Sequence, residues 1–222
     1  MEQMFSNADE FNGDISGWDV SSVTTMESMF RQGEYSSHTF NSDISGWDVS
    51  SVTTFKHMFL SARSFNQDLS GWDVSSAVSM GGMFSDCYAF NNGGQDLLSW
   101  DVSSVTYMAY MFKATDFNGD ISSWDVSNVT SMVGMFQCGG WDTETEFCSE
   151  KSPFNQDISG WDMSNVTSIY HMFKGAEDFN QDISGWDVSN VTNMWGVFHN
   201  AISFNQDISG WDVSSATNMT NI

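Results

Sequence analysis

Apolar and polar positions recur along this chain in one order, with a period of about 25 residues. The first copy of the pattern reads DISGWDVS at residues 14–21. The repeats are centred on Trp18, Trp47, Trp72, Trp100, Trp124, Trp161, Trp186 and Trp211. Such a period is typical of proteins whose units bury their apolar faces only against neighbouring units. We therefore expect a single repeat domain, residues 1–222, built from about eight stacked repeats.

The first half of each repeat predicts a short extended segment. In the first copy Ile15, Trp18 and Val20 are apolar, and Asp19 points away from its two neighbours because side chains alternate along a strand. Stacked copies would place these strands side by side in a parallel sheet, with the aspartates on its open face.

The second half of each repeat has the period of a helix. Val23, Met26, Met29 and Phe30 fall at i, i+3, i+6 and i+7, which is the spacing of one helical face. Two turns of helix are too short to be stable alone, so the helix would depend on packing against the strand and the adjacent repeats. Each repeat is therefore predicted to contain a strand, a turn, a short helix and a return loop.

Length changes are confined to the return loops, of which the longest insertion spans residues 137–153. The return loops also carry Phe-Asn pairs, whose stacked amides are expected to bond the backbone of the adjacent loop. The chain starts and stops inside a repeat, and neither end has the polar cap that stacked repeats normally need. We therefore expect a fragment of a longer protein, or a subunit whose ends are covered.

The repeated phrase Phe-Asn-x-Asp-Ile-Ser-x-Trp-Asp-Val-Ser-x-Val-Thr-x-Met-x-x-Met-Phe resembles the repeats of the BspA-like leucine-rich-repeat surface proteins, in particular those of mycoplasma surface lipoproteins. The resemblance covers essentially the whole chain. It implies an α/β solenoid, a right-handed leucine-rich-repeat-like stack in which each repeat is a short parallel strand plus a short helix. It also implies a cell-surface or secreted setting and a role in adhesion or protein recognition without enzymatic activity.

Charge excludes several classes of partner. The chain has 6 basic and 29 acidic residues and a net charge of −23, which argues against nucleic acid and anionic membrane surfaces. Cations and basic partners stay open. No apolar run is long enough to span a bilayer, and no signal peptide is visible.

Two columns of aspartate are the first candidate site: one precedes the predicted strands and begins at Asp14, and the other follows each Trp and begins at Asp19. The column that follows each Trp is predicted to line the strand face as a binding surface: Asp19, Asp48, Asp73, Asp101, Asp125, Asp162, Asp187 and Asp212. Each carboxylate can accept bonds from its own turn. Alternatively, calcium bridges neighbouring repeats through carboxylates such as Asp14, Asp19, Asp43 and Asp48. No other cofactor is expected. Eight equivalent carboxylates argue against an active site, which needs one distinguished pair.

The insertion is the second candidate site. Cys138 and Cys148 bracket it, and a disulfide between them is expected if the protein is exported to an oxidising compartment. Trp141 and Phe147 would then be held on a projecting loop where a partner could contact them. The alternative is a loop tucked over the adjacent repeat.

The remaining chemistry does not indicate an enzyme. His38, His57, His171 and His199 occupy unmatched positions, so neither a metal triad nor a Ser/His/Asp constellation is indicated. We therefore expect a non-catalytic recognition or adhesion module, extracellular or at the cell surface, with a protein or surface glycan as its partner. The alternative is a structural protein that assembles end to end into a fibre or layer.

Overall fold

A computed structural model describes residues 1–33, 39–141 and 148–222. The regular elements of these residues are a 3₁₀ turn, Asn92–Gly94, and two short strands, β1 (Gly139–Trp141) and β2 (Cys148–Glu150), which pair as an antiparallel hairpin. The described residues contain no α-helix, so the predicted α/β solenoid of the leucine-rich-repeat type is wrong. None of their helical turns is long and apolar enough to cross a membrane.

β-Turns replace the predicted short helix. In a helix the amide of Phe30 would bond the carbonyl of Met26, four residues earlier. Instead the amide of Met29 bonds the Met26 carbonyl at 3.1 Å, and the amide of Phe30 bonds Met58 of the next repeat at 2.8 Å. Successive turns return an apolar side chain to the core every three or four residues, so they produce the same spacing as a helical face.

The third residue of this turn has a left-handed backbone in every complete repeat. Its φ lies between +55° and +60° at Ser28, His57, Gly82, Tyr110, Gly134, His171 and Gly196. A helix cannot continue through a residue with positive φ. We call these seven positions the turn row.

Neighbouring repeats are joined by the amides that the turns leave unused. Around the turn row every second amide donates to a carbonyl of the next repeat. The amide of Ser28 bonds the carbonyl of Lys56 and the amide of Phe30 bonds that of Met58, and the later repeats have equivalent bonds. Seven isolated parallel bridges lie in the same region and connect Thr25, Thr54, Ser79, Tyr107, Ser131, Ser168, Asn193 and Asn218 in sequence. Parallel pairing between repeats therefore exists, but outside the segment for which it was predicted.

The segment predicted as a strand is folded into two turns. The amide of Trp18 bonds the carbonyl of Ile15 at 3.1 Å, and the amide of Val23 bonds Val20 at 2.8 Å. The same two bonds recur in the later repeats. The aspartate columns consequently lie on turns and not on the face of a sheet.

Tryptophan connects each repeat to the one before it. Seven indole Nε1 groups donate to the carbonyl of the Ile or Leu that opens the preceding repeat, from Trp47, Trp72, Trp100, Trp124, Trp161, Trp186 and Trp211. Six of these seven bonds are buried and the Trp211 bond is partly buried, so each contributes about 1 kcal/mol. Each carbonyl also accepts the amide that closes its own turn, so the indole supplies a second bond that joins two repeats.

The core is a continuous stack of phenylalanine rings. Within each unit the two rings lie about 4 Å apart, as for Phe30 and Phe40 at 3.9 Å, and the next unit follows with Phe59 at 5.6 Å from Phe30. In the return loops Asn41 accepts the amide of Asn66, and Asn155 accepts that of Asn180, as the sequence predicts. Identical side chains thus pack on each other from repeat to repeat.

We predict that Trp124→Phe destabilises the fold by about 2–3 kcal/mol, because it replaces a buried indole by a smaller ring and removes the indole bond to the Leu97 carbonyl at 2.9 Å. Urea unfolding of both proteins measures the difference. Trp18→Phe is the matched control, since Trp18 is 37% exposed and the change should cost less than about 1 kcal/mol. Equal losses for the two variants would contradict a role for the indole bond.

Candidate functional site

Each aspartate of the column that follows the tryptophans bonds within its own turn, and so does Asp14 of the column before the predicted strands. Asp19 Oδ1 accepts the amide of Ser21 at 3.1 Å and its hydroxyl at 2.7 Å, and Asp14 Oδ1 does the same with Ser16 at 3.0 and 2.7 Å. The backbone bond to the residue two places on recurs at Asp48, Asp73, Asp101, Asp125, Asp162, Asp187 and Asp212. This geometry is an Asx turn, so each carboxylate has a local structural task.

These hydrogen bonds favour the ionised carboxylates. The bond from the Ser21 hydroxyl, followed by that from its amide, holds the pKa of Asp19 below its ordinary value, and Ser16 does the same for the pKa of Asp14. In Asp43 the amide of Ser45 has the largest effect, while the charge of Asp14 opposes it and raises the pKa. Repulsion between neighbouring repeats is therefore present but weaker than the turn bonds.

A metal site is not assembled in the part of the chain that the structure describes. No three His, Cys, Asp or Glu side chains of residues 1–33, 39–141 and 148–222 are grouped as ligands for one ion. Calcium bridging through Asp14, Asp19, Asp43 and Asp48 stays a prediction, as does binding through the acidic column.

The insertion forms the β1–β2 hairpin, in which Gly139 pairs with Glu150 and Trp141 with Cys148. A disulfide joins Cys138 and Cys148, whose Cα atoms are 5.9 Å apart, and their sulfurs pack against Gly175 of the next repeat. Phe147 lies outside the described residues, and the side chain of Trp141 is not described. Partner contact through these two residues therefore stays a prediction.

A groove that sequence reasoning missed lies along the turn row. It has a volume of about 450 Å³ and is open to solvent. It runs from the second repeat to the sixth, and its walls are His57, Leu60, Gly82, Ser85, Tyr110, Lys113, Gln137, Tyr170 and His171. Aromatic rings and hydrogen-bonding groups thus line one shallow surface across five repeats.

The turn row alternates between large and small residues in this groove. His57, Tyr110 and His171 belong to the second, fourth and sixth repeats, whereas the third, fifth and seventh repeats have Gly82, Gly134 and Gly196. Backbone bonds hold neighbouring positions together, as from Tyr110 to Val133 at 2.7 Å and from Gly82 to Ala109 at 2.8 Å. An aromatic ring therefore recurs at every second step of the stack.

Each ring lies across the glycine of the next repeat. A Cβ atom on Gly82 would come within 2.5 Å of His57 Cδ2, and one on Gly196 within 2.7 Å of His171 Cδ2. On Gly134 it would collide with Tyr110. Glycine at these positions thus provides both the positive φ and the room for the ring.

Burial keeps the imidazoles of the groove neutral. It lowers the pKa of His171 to about 4, with smaller effects of Lys174 and His199 in the same direction. Burial also lowers the pKa of His57, helped by Lys56 and Arg31. A neutral imidazole has one donor and one acceptor nitrogen, so near neutral pH both side chains can bind uncharged polar groups.

The charge of this face differs from that of the whole chain. The turn row and its flanking residues carry four of the 6 basic residues, Arg31, Lys56, Lys113 and Lys174. Lys113 pairs with Asp86 at 2.9 Å, and Lys56 approaches Glu27 at 3.5 Å. The same positions carry only these two carboxylates, so four cations and two carboxylates give a formal charge of +2 on a chain with a net charge of −23, and one of the four cations, Lys174, is buried.

An aromatic cluster closes the far end of the groove. The rings of Tyr170 and Trp195 are stacked with 5.1 Å between their centroids, and the His171 ring lies 4.0 Å from Tyr170 and 4.4 Å from Trp195. Burial raises the pKa of Tyr170 and of Tyr110, so both hydroxyls stay protonated and can donate.

A signal for the groove was present in the sequence. When the repeats are aligned on their tryptophans, the two histidines and the tyrosine occupy one position, two residues after the first residue of the Met-x-x-Met segment. The predicted helix has no left-handed residue at this position and so gives no reason to compare it between repeats, which is why the histidines are unmatched in that prediction.

These features define a repeat protein that is built from turns and has an open groove along one face. The chain belongs to a family described as mycoplasma protein of unknown function, DUF285, which matches residues 1–95, 93–144 and 141–222. No curated protein and no solved structure matches it. The identification with BspA-like leucine-rich-repeat surface proteins is therefore wrong, because the apolar spacing that suggested it forms turns here and not a strand and a helix.

We predict that Asp125→Ala lowers the free energy of unfolding by about 0.5–1 kcal/mol, because it removes the acceptor of the Ser127 amide at 3.0 Å. Asp125→Asn keeps that acceptor and should change stability by only a few tenths of a kcal/mol. Urea unfolding without added calcium compares the two variants. Equal losses for Ala and Asn would show that the charge, and not the turn bond, stabilises the fold.

We also predict a loss of stability of about 1–2 kcal/mol between pH 6.5 and 4.5, caused by the buried imidazoles. The ordinary pKa of His171 is 6.5 and its folded value is about 4. Between these values the unfolded chain binds more protons than the folded chain, so the free energy of unfolding decreases as the pH is lowered. The Asx carboxylates, whose pKa values are lowered from 3.8, weaken the fold only at more acidic pH. Unfolding midpoints at several pH values measure the slope, which His171→Phe should reduce; an unchanged slope would contradict the assignment.

Proposed function

We propose that this chain is a non-catalytic recognition module that binds an extended partner along the groove of the turn row. The observation that carries the proposal is the presence of His57, Tyr110 and His171 at positive φ, where the intervening repeats have glycine. A bulky residue in this conformation costs about 1 kcal/mol or more, and strained residues of this kind cluster at functional sites. The turns alone do not need these rings.

The dimensions and composition of the groove support the same proposal. It is shallow, crosses several repeats and combines aromatic faces with Ser85, Lys113 and Gln137 as hydrogen-bonding groups. Aromatic residues and a few placed polar groups are typical of binding surfaces. An extended partner could contact all five repeats at once, whereas a compact one would touch two or three.

The absence of catalysis and the location outside the cytosol are parts of the proposal. The aspartates are equivalent copies engaged in turns, which supports binding rather than acid–base chemistry. The Cys138–Cys148 disulfide supports an oxidising compartment and hence an extracellular or surface setting.

The test uses arrays of immobilised extended peptides and oligosaccharides, probed with the wild-type chain and with Tyr110→Gly. The variant introduces the residue that the third and fifth repeats already have, so the fold should be preserved and binding should fall about tenfold or more. A second variant, Asp101→Asn with Asp125→Asn, changes only the acidic column. Loss of binding in this second variant alone would place the site on the aspartates.

Sedimentation of the unliganded chain distinguishes the alternative of end-to-end assembly. A constant mass with saturable, Tyr110-dependent binding supports the recognition module. A mass that grows with concentration, without any ligand captured on the arrays, would replace it by an assembly function.

A further inference from the structure

The spacing of the rings in the turn row matches one turn of a polyproline II helix. Hydrogen-bonded neighbours in the row are separated by ~4.8 Å, so rings in alternate repeats recur every ~9.6 Å. A polyproline II helix has three residues per turn and a rise of 3.1 Å, which gives ~9.3 Å per turn. His57, Tyr110 and His171 are therefore placed to contact successive turns of such a peptide.

A β-strand does not fit the same spacing. Three residues of a strand also span ~10 Å, but side chains alternate between the two faces, so every third residue would point alternately toward the groove and away from it. In polyproline II every third residue returns to the same face. The two-repeat period of the rings thus discriminates between the two conformations of an extended peptide.

The chemistry of the groove suits a proline-rich backbone. Polyproline II has no internal hydrogen bonds, so its carbonyls need donors from a partner. The groove supplies them from the tyrosine hydroxyls, the neutral imidazoles, Gln137 and Lys113, between rings on which proline can pack. From His57 to His171 the groove spans four steps, ~19 Å, which corresponds to roughly six residues of polyproline II.

Charge defines the flanks of the ligand. Arg31 lies one repeat before the groove begins and Lys56 lies beside its near end at His57, whereas Lys174 at the far end is buried. Acidic residues next to a proline-rich segment would pair with these exposed cations, whereas a basic ligand would be attracted to the aspartate columns on the rest of the chain and not to this groove. The sequence has 1 proline, so it does not supply such a segment to a second copy.

We infer that the partner is another protein with an acidic, proline-rich segment, which lies in the groove as a polyproline II helix with about six residues across His57, Tyr110 and His171. This inference rests on the proposed recognition function and names the class of its ligand.

Fluorescence anisotropy with labelled synthetic peptides tests it. The first probe has nine prolines with two glutamates at each end, and the second replaces the prolines by a glycine-serine segment. We expect the proline probe to bind at least about tenfold more tightly than the second probe, and Tyr110→Gly to weaken its binding about tenfold. Tyr107→Ser is the matched control, because Tyr107 is 41% exposed, does not line the groove and lies between repeats with Ser79 and Ser131 at its position.

Two further probes test the period. A peptide with proline at every third position should retain more affinity than one with proline at every second position, because only the first places its prolines on one face. Equal binding of the proline and glycine-serine probes, or equal loss in Tyr110→Gly and Tyr107→Ser, would overturn the inference.

An oligosaccharide separates failure of the inference from failure of the proposed function. If a β-linked glucose hexasaccharide binds in a Tyr110-dependent manner and the proline probe does not, the groove is a recognition site for glycans and the peptide assignment is wrong. If neither probe binds and the arrays capture no ligand, both the peptide assignment and the proposed recognition function are wrong.

Discussion

The structure depends on the way its peptide groups divide their hydrogen bonds. Around the turn row, one amide closes a turn within its own repeat and the next amide donates to the following repeat, as Met29 and Phe30 do. This division requires a left-handed residue in every turn, and it fixes the distance between repeats at the spacing of hydrogen-bonded strands. A helix would use all of these amides internally and leave none to join the repeats, which is the physical reason why the second half of each repeat is not helical.

Columns of identical side chains use this fixed spacing. The phenylalanine rings fill the interior, the indoles donate to carbonyls of the preceding repeat, and the asparagines accept from amides of the return loops. The aspartates belong with these columns, since each one orders a turn through the serine two residues later. Such turns tolerate the mutual repulsion of stacked carboxylates because the bonds to the ionised form outweigh it.

The positions at which the repeats differ from one another are the candidates for a specific function. Glycine would satisfy the turn row at every position, yet three repeats have a ring there, and the following glycine gives each ring its room. Four of the 6 basic residues of this acidic chain belong to the turn row or its flanking positions. The β1–β2 hairpin is the other departure, and its disulfide fixes the base of the insertion against Gly175 of the next repeat.

The sequence by itself determined the repeats, their number, the apolar residues that would be buried and the return loops in which insertions occur. The period and identity of Trp124 or Phe112 are enough for that, because they depend only on burial. The local conformation was decided by the tertiary structure, since apolar residues three and four positions apart arise equally from a helix and from successive turns. Only bonds between residues far apart in the sequence, such as Phe30 to Met58, select the turns. For the same reason the groove is seen only in the structure. His57, Tyr110 and His171 are each more than fifty residues from the next in sequence, and the stacking of the repeats places them at alternate positions of the turn row.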